Sequence, residues 1–545
     1  MTTSTNHPAA GIKSVSYADI RKALLEKREI ALLDVREEAP FAEEHPLFAA
    51  NMPVSRIELD AAARIPRLTS CIVVYDAGEG LAQRAAQVLA SLGYLDVGVL
   101  DGGLDGWRAA GGEIFRDVNA PSKAFGELVE SRRHTPSLSA QEVQRMLDEK
   151  ADVVVLDARR FDEYCTMSIP TSISVPGAEL VLRVRELAPD PKTQVIVNCA
   201  GRTRSIIGTQ SLVNAGIPNP VAALRNGTIG WTLAGQNLQH QQQRRFSDVS
   251  AENRAQAAAA ARQTADRAGV QRTNAAQLQQ YLQQGERTTY RFDVRTPEEY
   301  LHSHLPGFVS APGGQLVQET DHSVPVRGAR IVLADDDGVR ANMTASWLAQ
   351  MGWDVHVLDG VGTDDWSVSG WPAAVLPPQL AAMDATGLIA ADVLAARLAR
   401  DGGQIVVVDF ASSAQFVQTR IPGAWWALRS ELKTALQNLP ADRRYVLTSP
   451  DGLLARLALP EFQDLTAAEV FVLDGGTAAW VATHHATDNA DSSGGAQFAS
   501  PRIDRYRRPY EGTDNPAAAM QAYLDWEYGL VEQLGRDGTH GFFVI

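Results

Sequence analysis

Of the three cysteines in the chain, Cys199 has neighbours suited to chemistry. It follows the apolar run Val195-Ile196-Val197-Asn198 and opens the stretch Ala200-Gly201-Arg202-Thr203-Arg204-Ser205. The thiolate is the reactive form of cysteine, and nearby cations or a helix N-terminus favour it. Arg202 and Arg204 supply cations, and the segment from Arg204 to Val213 reads as a helix. Backbone N–H groups of residues 199 to 204 are expected to wrap the sulfur, while both guanidiniums hydrogen-bond an oxyanion. The expected chemistry is nucleophilic attack by Cys199 on an anionic substrate.

The framework around Cys199 occurs four times. Short apolar strands end in Asp34, Asp157, Asp293 and Asp409, and a second apolar strand ends just before Asp76, Cys199, Asp335 and Ser449. The interval from strand-end Asp to loop residue is 42 residues in the first three copies and 40 in the fourth. Trp107, Trp231, Trp366 and Trp480 follow the loop residue by 31, 32, 31 and 31 residues, each after a glycine-bearing turn such as Asn226-Gly227. Such agreement indicates internal duplication.

Each copy alternates helix and strand, which predicts an α/β unit with a mostly parallel sheet flanked by helices. Ligand sites in such sheets lie at the carboxyl ends of strands, where the Cys199 loop falls. Ser139 to Glu142 reads as a capping box opening the second copy's first helix. The expected units span 14–116, 134–238 (with Cys199), 272–375 and 385–485. Residues 239–271, rich in Gln, Ala and Arg, read as a partly helical linker. Ser492-Ser493-Gly494-Gly495 marks a joint to the extension 486–545. There Asn515-Pro516 starts a predicted helix with Met520, Tyr523, Leu524, Leu530, Val531 and Leu534 on its apolar face. That face is expected to pack on the body or on a second subunit, making a homo-oligomer.

At 545 residues and 45% hydrophobic, the chain is long and apolar enough for several cores. A formal charge of −15 argues against nucleic acid or an anionic membrane surface as partner. Three cysteines form no disulfide framework, and no Cys/His cluster points to a metal. The start, Met1 to Pro8, lacks a signal-peptide pattern, and no apolar run approaches the roughly 18 residues that span a bilayer. A reducing, cytoplasmic location is expected.

Together these landmarks resemble the rhodanese family of sulfurtransferases, as four tandem rhodanese-like domains. Copy three carries Asp293-Val294-Arg295, Glu299-Tyr300 and Ser303-His304-Leu305-Pro306-Gly307, and copy four carries Ile421-Pro422-Gly423-Ala424. Copy two carries Asp157-Ala158-Arg159 and Glu163-Tyr164, with Ser168 where the family often has His. The resemblance implies that Cys199 takes sulfane sulfur as a persulfide from a small anionic donor such as thiosulfate. Cyanide, a thiol or a sulfur-carrier protein would accept it, and no cofactor is needed. The loop departs from the commonest family pattern in having Arg202 where Gly is usual, with Gly201 before it. Asp157 and Arg159 are read as structural supports.

Two other readings compete. Cysteine phosphatases of related fold place five residues between Cys and Arg, whereas four separate Cys199 from Arg204. A sulfur or redox sensor, or a scaffold, would account for three copies without the cysteine. Asp76, Asp335 and Ser449 cannot carry a persulfide, so their copies are read as structural or docking modules. Cys165 is read as a packed thiol, with sulfur relay as the alternative, and Cys71 as structural.

Overall fold

The computed structural model describes residues 12–373, 375–382, 387–492 and 495–545. Met1 to Pro8, the joint at Ser493-Gly494 and the fourth unit's expected start at 385 lie outside the described residues.

Four sheets follow one another along the chain, each built in the same strand order. In the second unit that order is Ser137–Leu138, Val221–Leu224, Gln194–Asn198, Val153–Asp157, Ile173–Ser174, all parallel. Central strands such as Ile30–Asp34 and Ile405–Asp409 are buried along their whole length. Helices on both faces explain why they read as unbroken apolar runs rather than alternating ones. Asp157 pairs directly with Asn198 across the sheet, as Asp34 does with Tyr75, Asp293 with Ala334 and Asp409 with Thr448. The repeated interval is therefore one crossover between adjacent parallel strands, shortened by two residues in the fourth unit.

The strand-end Asp has a common task in three units. Arg36, Arg159 and Arg295 each fold back on the Asp two residues earlier and reach a carbonyl eight residues ahead, at Glu44, Met167 and Ser303. Both members of each pair are buried. In the fourth unit Ala411 replaces the arginine, and burial pushes the Asp409 carboxyl up to about 6. The closing Trp also has a common task. Trp107, Trp231 and Trp480 each donate from Nε1 to the carbonyl six residues later. The third unit departs here: only a 3-10 turn, Thr363–Asp365, precedes Trp366, whose ring instead lies beneath Arg295.

The units are joined more closely than tandem beads. Val326–Arg327 of the third unit pairs antiparallel with Ile30–Asp34 of the first. Arg340 reaches Glu179 of the second unit, and Arg429 of the fourth reaches Glu58 of the first, both as buried pairs. The segment 239–271 expected to be a linker contains the helix Ala251–Arg267, with Ala257, Ala261, Thr264 and Ala265 buried, so it is a packed element rather than a tether. A further helix, Ala120–Arg133, is buried from Ala120 to Val129 between the first two units. The extension holds two helices, Ala517–Tyr528 and Leu530–Asp537, where one was expected. The break falls at Gly529. Asn515 does not cap the first of them, and its Nδ2 donates to the Glu511 carbonyl. Both helices pack on the body of the same chain, beside helix Ala120–Arg133. Among the described residues, no helix is long and apolar enough to cross a membrane.

Candidate active site

Strand Gln194–Asn198 delivers Cys199 to the carboxyl end of the second sheet, and helix Thr203–Asn214 begins four residues later. Asn198 holds the strand end by donating from Nδ2 to Asp157 Oδ2 at 2.8 Å. The loop is pinned from the other side by helix Gly227–Leu233. Thr228 N–H donates to the Cys199 carbonyl at 2.9 Å, and Ile229 N–H to the Ala200 carbonyl at 3.0 Å. Gly227 makes this approach possible. Its φ is +55°, and a Cβ there would collide with the Cys199 carbonyl and lie 2.8 Å from the Gly201 carbonyl. Gly103 and Gly476 sit in the same way against the carbonyls of Asp76 and Ser449. Gly227→Ala is therefore expected to destabilise the protein by about 2–4 kcal/mol and to displace the loop. Urea unfolding together with the alkylation rate of Cys199 would check this.

Cys199 is 1% exposed. Its Sγ lies 3.4 Å from Ser205 Oγ, which in turn donates to the Arg202 carbonyl at 2.8 Å. The Ser205 backbone N–H works against burial by pulling the thiol's pKa down. This amide, six residues beyond the loop position, has the same role in every unit. Ala82 N–H donates to Asp76 Oδ2, Ala341 N–H to Asp335 Oδ2 and Ala455 N–H to Ser449 Oγ. In the three units without the cysteine, a carboxylate or hydroxyl fills the helix N-terminal donor that faces sulfur in the second. Those loops are self-occupied.

The electrostatics differ from the sequence expectation. Burial pushes the Cys199 thiol up, and the help of Arg204 and Ser205 does not offset it, so the resting group is a thiol. Neither arginine is free to receive an anion in this arrangement. Arg202 is held by both oxygens of Glu127 at 2.7 and 2.8 Å and by Glu130, and it stacks 4.2 Å from the Tyr528 ring centroid. Arg204 forms a two-point pair with Glu163 at 2.7 and 2.8 Å. Burial alone would raise the Glu163 carboxyl, but Arg204 outweighs it and holds the group at about 2. Thr203 is also buried, and its Oγ1 lies 3.5 Å from Glu527 Oε1.

The extension roofs the loop. Gly201 lies flush beneath it, since a Cβ there would come within 3.1 Å of Tyr523 and 3.4 Å of Glu527. Lys123 fastens that roof. It is buried, paired with Asp117 at 2.7 Å, and surrounded by the rings of Tyr510, Tyr523 and Trp526 at 5.7, 5.1 and 5.5 Å. Beside the loop, Arg159, Arg204, Gln318, Gln418, Arg508 and Tyr510 line a polar cavity of about 500 Å³. Its walls thus come from the second, third and fourth units and from the extension.

Glu127, Glu130, Tyr523, Glu527 and Tyr528 lie outside the second repeat, so its spacing does not mark them as site residues. One signal was present: Glu527 falls on the stripe Met520, Tyr523, Leu524, a carboxylate on an otherwise apolar helix face. The Cys165 sulfur has Gln243 Nε2 at 3.6 Å.

A family model for the rhodanese-like domain matches residues 17–110, 139–234, 274–368 and 390–483. The chain belongs to the rhodanese family. All four repeats are rhodanese-like domains, and the second is the one with a cysteine at the loop position. Among solved structures, this rhodanese chain is 65% identical to a crystal structure of thiosulfate sulfurtransferase from Pseudomonas aeruginosa. That match covers 98% of this chain and 100% of the other, with a TM-score of 0.94. The Alr3790 protein from Anabaena sp. matches at 27% identity, over 19% of this chain and 83% of the other, with a TM-score of 0.18. A rhodanese_3-like domain of the same Anabaena protein matches at 32% identity, over 16% and 93%, with a TM-score of 0.16. No curated protein matches the chain.

Proposed function

We propose that the protein is a sulfurtransferase that moves sulfane sulfur from a small anionic donor such as thiosulfate to a thiophilic acceptor through a persulfide on Cys199. The observation carrying this reading is the amide six residues past the loop position. It faces a thiol in the second domain and is filled by an oxygen in the other three. The likeness to a Pseudomonas aeruginosa protein described as a thiosulfate sulfurtransferase supports the same donor.

In the reaction, the Cys199 proton leaves to solvent and the thiolate attacks the outer sulfur of thiosulfate. The S–S bond of the donor breaks and its electron pair departs with sulfite. The persulfide remains against Ser205 N–H and Oγ until cyanide, a thiol or the cysteine of a sulfur-carrier protein attacks its terminal sulfur, regenerating the Cys199 thiolate. Asp157, Arg159 and Asn198 hold the strand end. Ala200, Gly201, Arg202 and Thr203 form the loop floor, and Arg204 supplies positive potential to the sulfur. We assign the reaction to the cytoplasm, with neither metal nor organic cofactor, and with nucleic acid and membrane absent from its partners. A homo-oligomer is not needed to cover the extension's apolar face, which this chain covers itself.

Steady-state rates at varied thiosulfate and cyanide test this. The proposal predicts thiocyanate release with parallel double-reciprocal lines, the pattern of a double displacement. A second reading, a sensor that takes up sulfur once, is favoured by the depth of Cys199 beneath the extension. It predicts a single equivalent of sulfite and no turnover.

A further inference from the structure

One ionisable group at the loop keeps an unpartnered oxygen. Glu527 is fully buried, and its Oε1 accepts from Tyr523 Oη at 2.8 Å and more distantly faces Thr203 Oγ1 at 3.5 Å. Its Oε2 is buried with no hydrogen-bond partner. That oxygen is directed at the active-site loop, 3.4 Å from where a Cβ on Gly201 would stand. A buried polar atom without a partner is costly, and it gains most where a ligand completes it.

The charges around Glu527 decide which ligand fits. Helix Ala120–Arg133 presents Glu127, Glu130 and Lys123, the loop presents Arg202 and Cys199, and the extension presents Tyr510, Tyr523 and Tyr528. Asp117 lies behind Lys123. Burial and then Glu127 push the Glu527 carboxyl up to about 8, against the opposing pull of Lys123, Tyr523 and Arg202. At neutral pH the group is a carboxylic acid. Oε1 receives the Tyr523 hydroxyl, which leaves Oε2 to carry the proton as a donor. Arg202 and Arg204 are meanwhile committed to Glu127, Glu130 and Glu163.

We propose that Glu527, contributed by the C-terminal extension, is a donor-binding residue of the Cys199 site, presenting Oε2–H to the oxyanion of the sulfur donor. The inference rests on the sulfur-transfer reading above. The proton stays on Glu527 throughout. The hydrogen bond strengthens as the S–S bond of thiosulfate breaks, because the departing electron pair concentrates charge on sulfite. Glu527 thereby favours donors that release an oxyanion over donors that release a thiolate. Above its pKa the ionised carboxylate repels the same donors, so recognition is present below pH about 8 and lost above it.

The test compares wild type, Glu527→Gln and Glu527→Ala, using thiosulfate and an alkyl persulfide as donors between about pH 6 and 9.5. The wild-type ratio of kcat/KM for thiosulfate over alkyl persulfide is expected to fall as pH rises through about 8. Glu527→Gln keeps a donor that cannot ionise. It is expected to lose about threefold with thiosulfate at pH 7 and to lose the pH dependence of the ratio. Glu527→Ala is expected to lose about 10- to 100-fold with thiosulfate and much less with the persulfide. A Gln variant whose ratio still falls as in wild type, or an Ala variant that loses equally with both donors, would overturn the inference. Where the Ala variant fails to fold, the Gln profile alone decides. A wild-type protein that transfers sulfur from neither donor would overturn the sulfur-transfer reading, and this inference with it.

Discussion

Cys199→Ser is expected to lower sulfur transfer by about 10⁴-fold or more while leaving the fold intact. Serine is slightly smaller than cysteine and stays within reach of Ser205, so packing around the buried loop changes little. What it removes is a soft sulfur nucleophile that forms and releases an S–S bond. An alkoxide is far too basic to form at neutral pH, and it makes no persulfide. The fourth domain already illustrates the substitution, since Ser449 holds the equivalent position and accepts from Ala455 N–H. Neither remaining thiol is expected to substitute. Cys165 has Gln243 beside its sulfur, and burial raises the Cys71 thiol in its own strand. Thiocyanate formation by the purified variant, with circular dichroism as the control for folding, gives the answer. Residual activity above about one per cent of wild type would mean that sulfur passes through another group.

Lys123→Met is expected to cost about 3–5 kcal/mol and to loosen the roof over Cys199. The ammonium is buried among three aromatic rings of the extension and paired with buried Asp117. Burial pulls its pKa down, but Asp117 and its other neighbours outweigh that and raise it, so the lysine is charged throughout the physiological range. A group with a raised pKa contributes its stability below its unfolded value and loses it as pH rises through the folded value. The fastening therefore persists at neutral pH and weakens only in alkali. Methionine matches the stem but leaves Asp117 without its cation and removes the attraction to Tyr510, Tyr523 and Trp526. Amide exchange across residues 505–528 should accelerate before the domains themselves unfold, and Cys199 should alkylate faster. Wild-type exchange and alkylation in this variant would show that the lysine does not hold the extension.

How far the chain could be read before its fold was known depends on where each residue stands relative to the repeat. The four-domain plan was legible because the 42-residue crossover is a property of adjacent parallel strands, and Asp157 opposite Asn198 is its direct expression. Cys199 was legible as the departure from Asp76, Asp335 and Ser449 within an otherwise constant frame. Its ionisation state was not. Whether Arg202 and Arg204 activate a thiol depends on which carboxylates reach them, and Glu127 and Glu130 lie on a helix before the second repeat begins. The role of the extension was equally hidden. An apolar stripe from Met520 to Leu534 shows that something is covered, but only the packing of Tyr523 and Glu527 on Gly201 shows what. Within the repeat, spacing carried the information; between repeats, tertiary contacts did.

Peptide mass spectrometry can show whether Cys199 carries the sulfur. Wild-type protein would be incubated with thiosulfate, or in parallel with an organic persulfide, digested under non-reducing conditions, and compared with a sample then treated with cyanide. A gain of one sulfur mass is expected on the peptide containing Cys199, lost on cyanide treatment as thiocyanate appears. No gain there from either donor, or a gain confined to the peptides of Cys71 or Cys165, would contradict it.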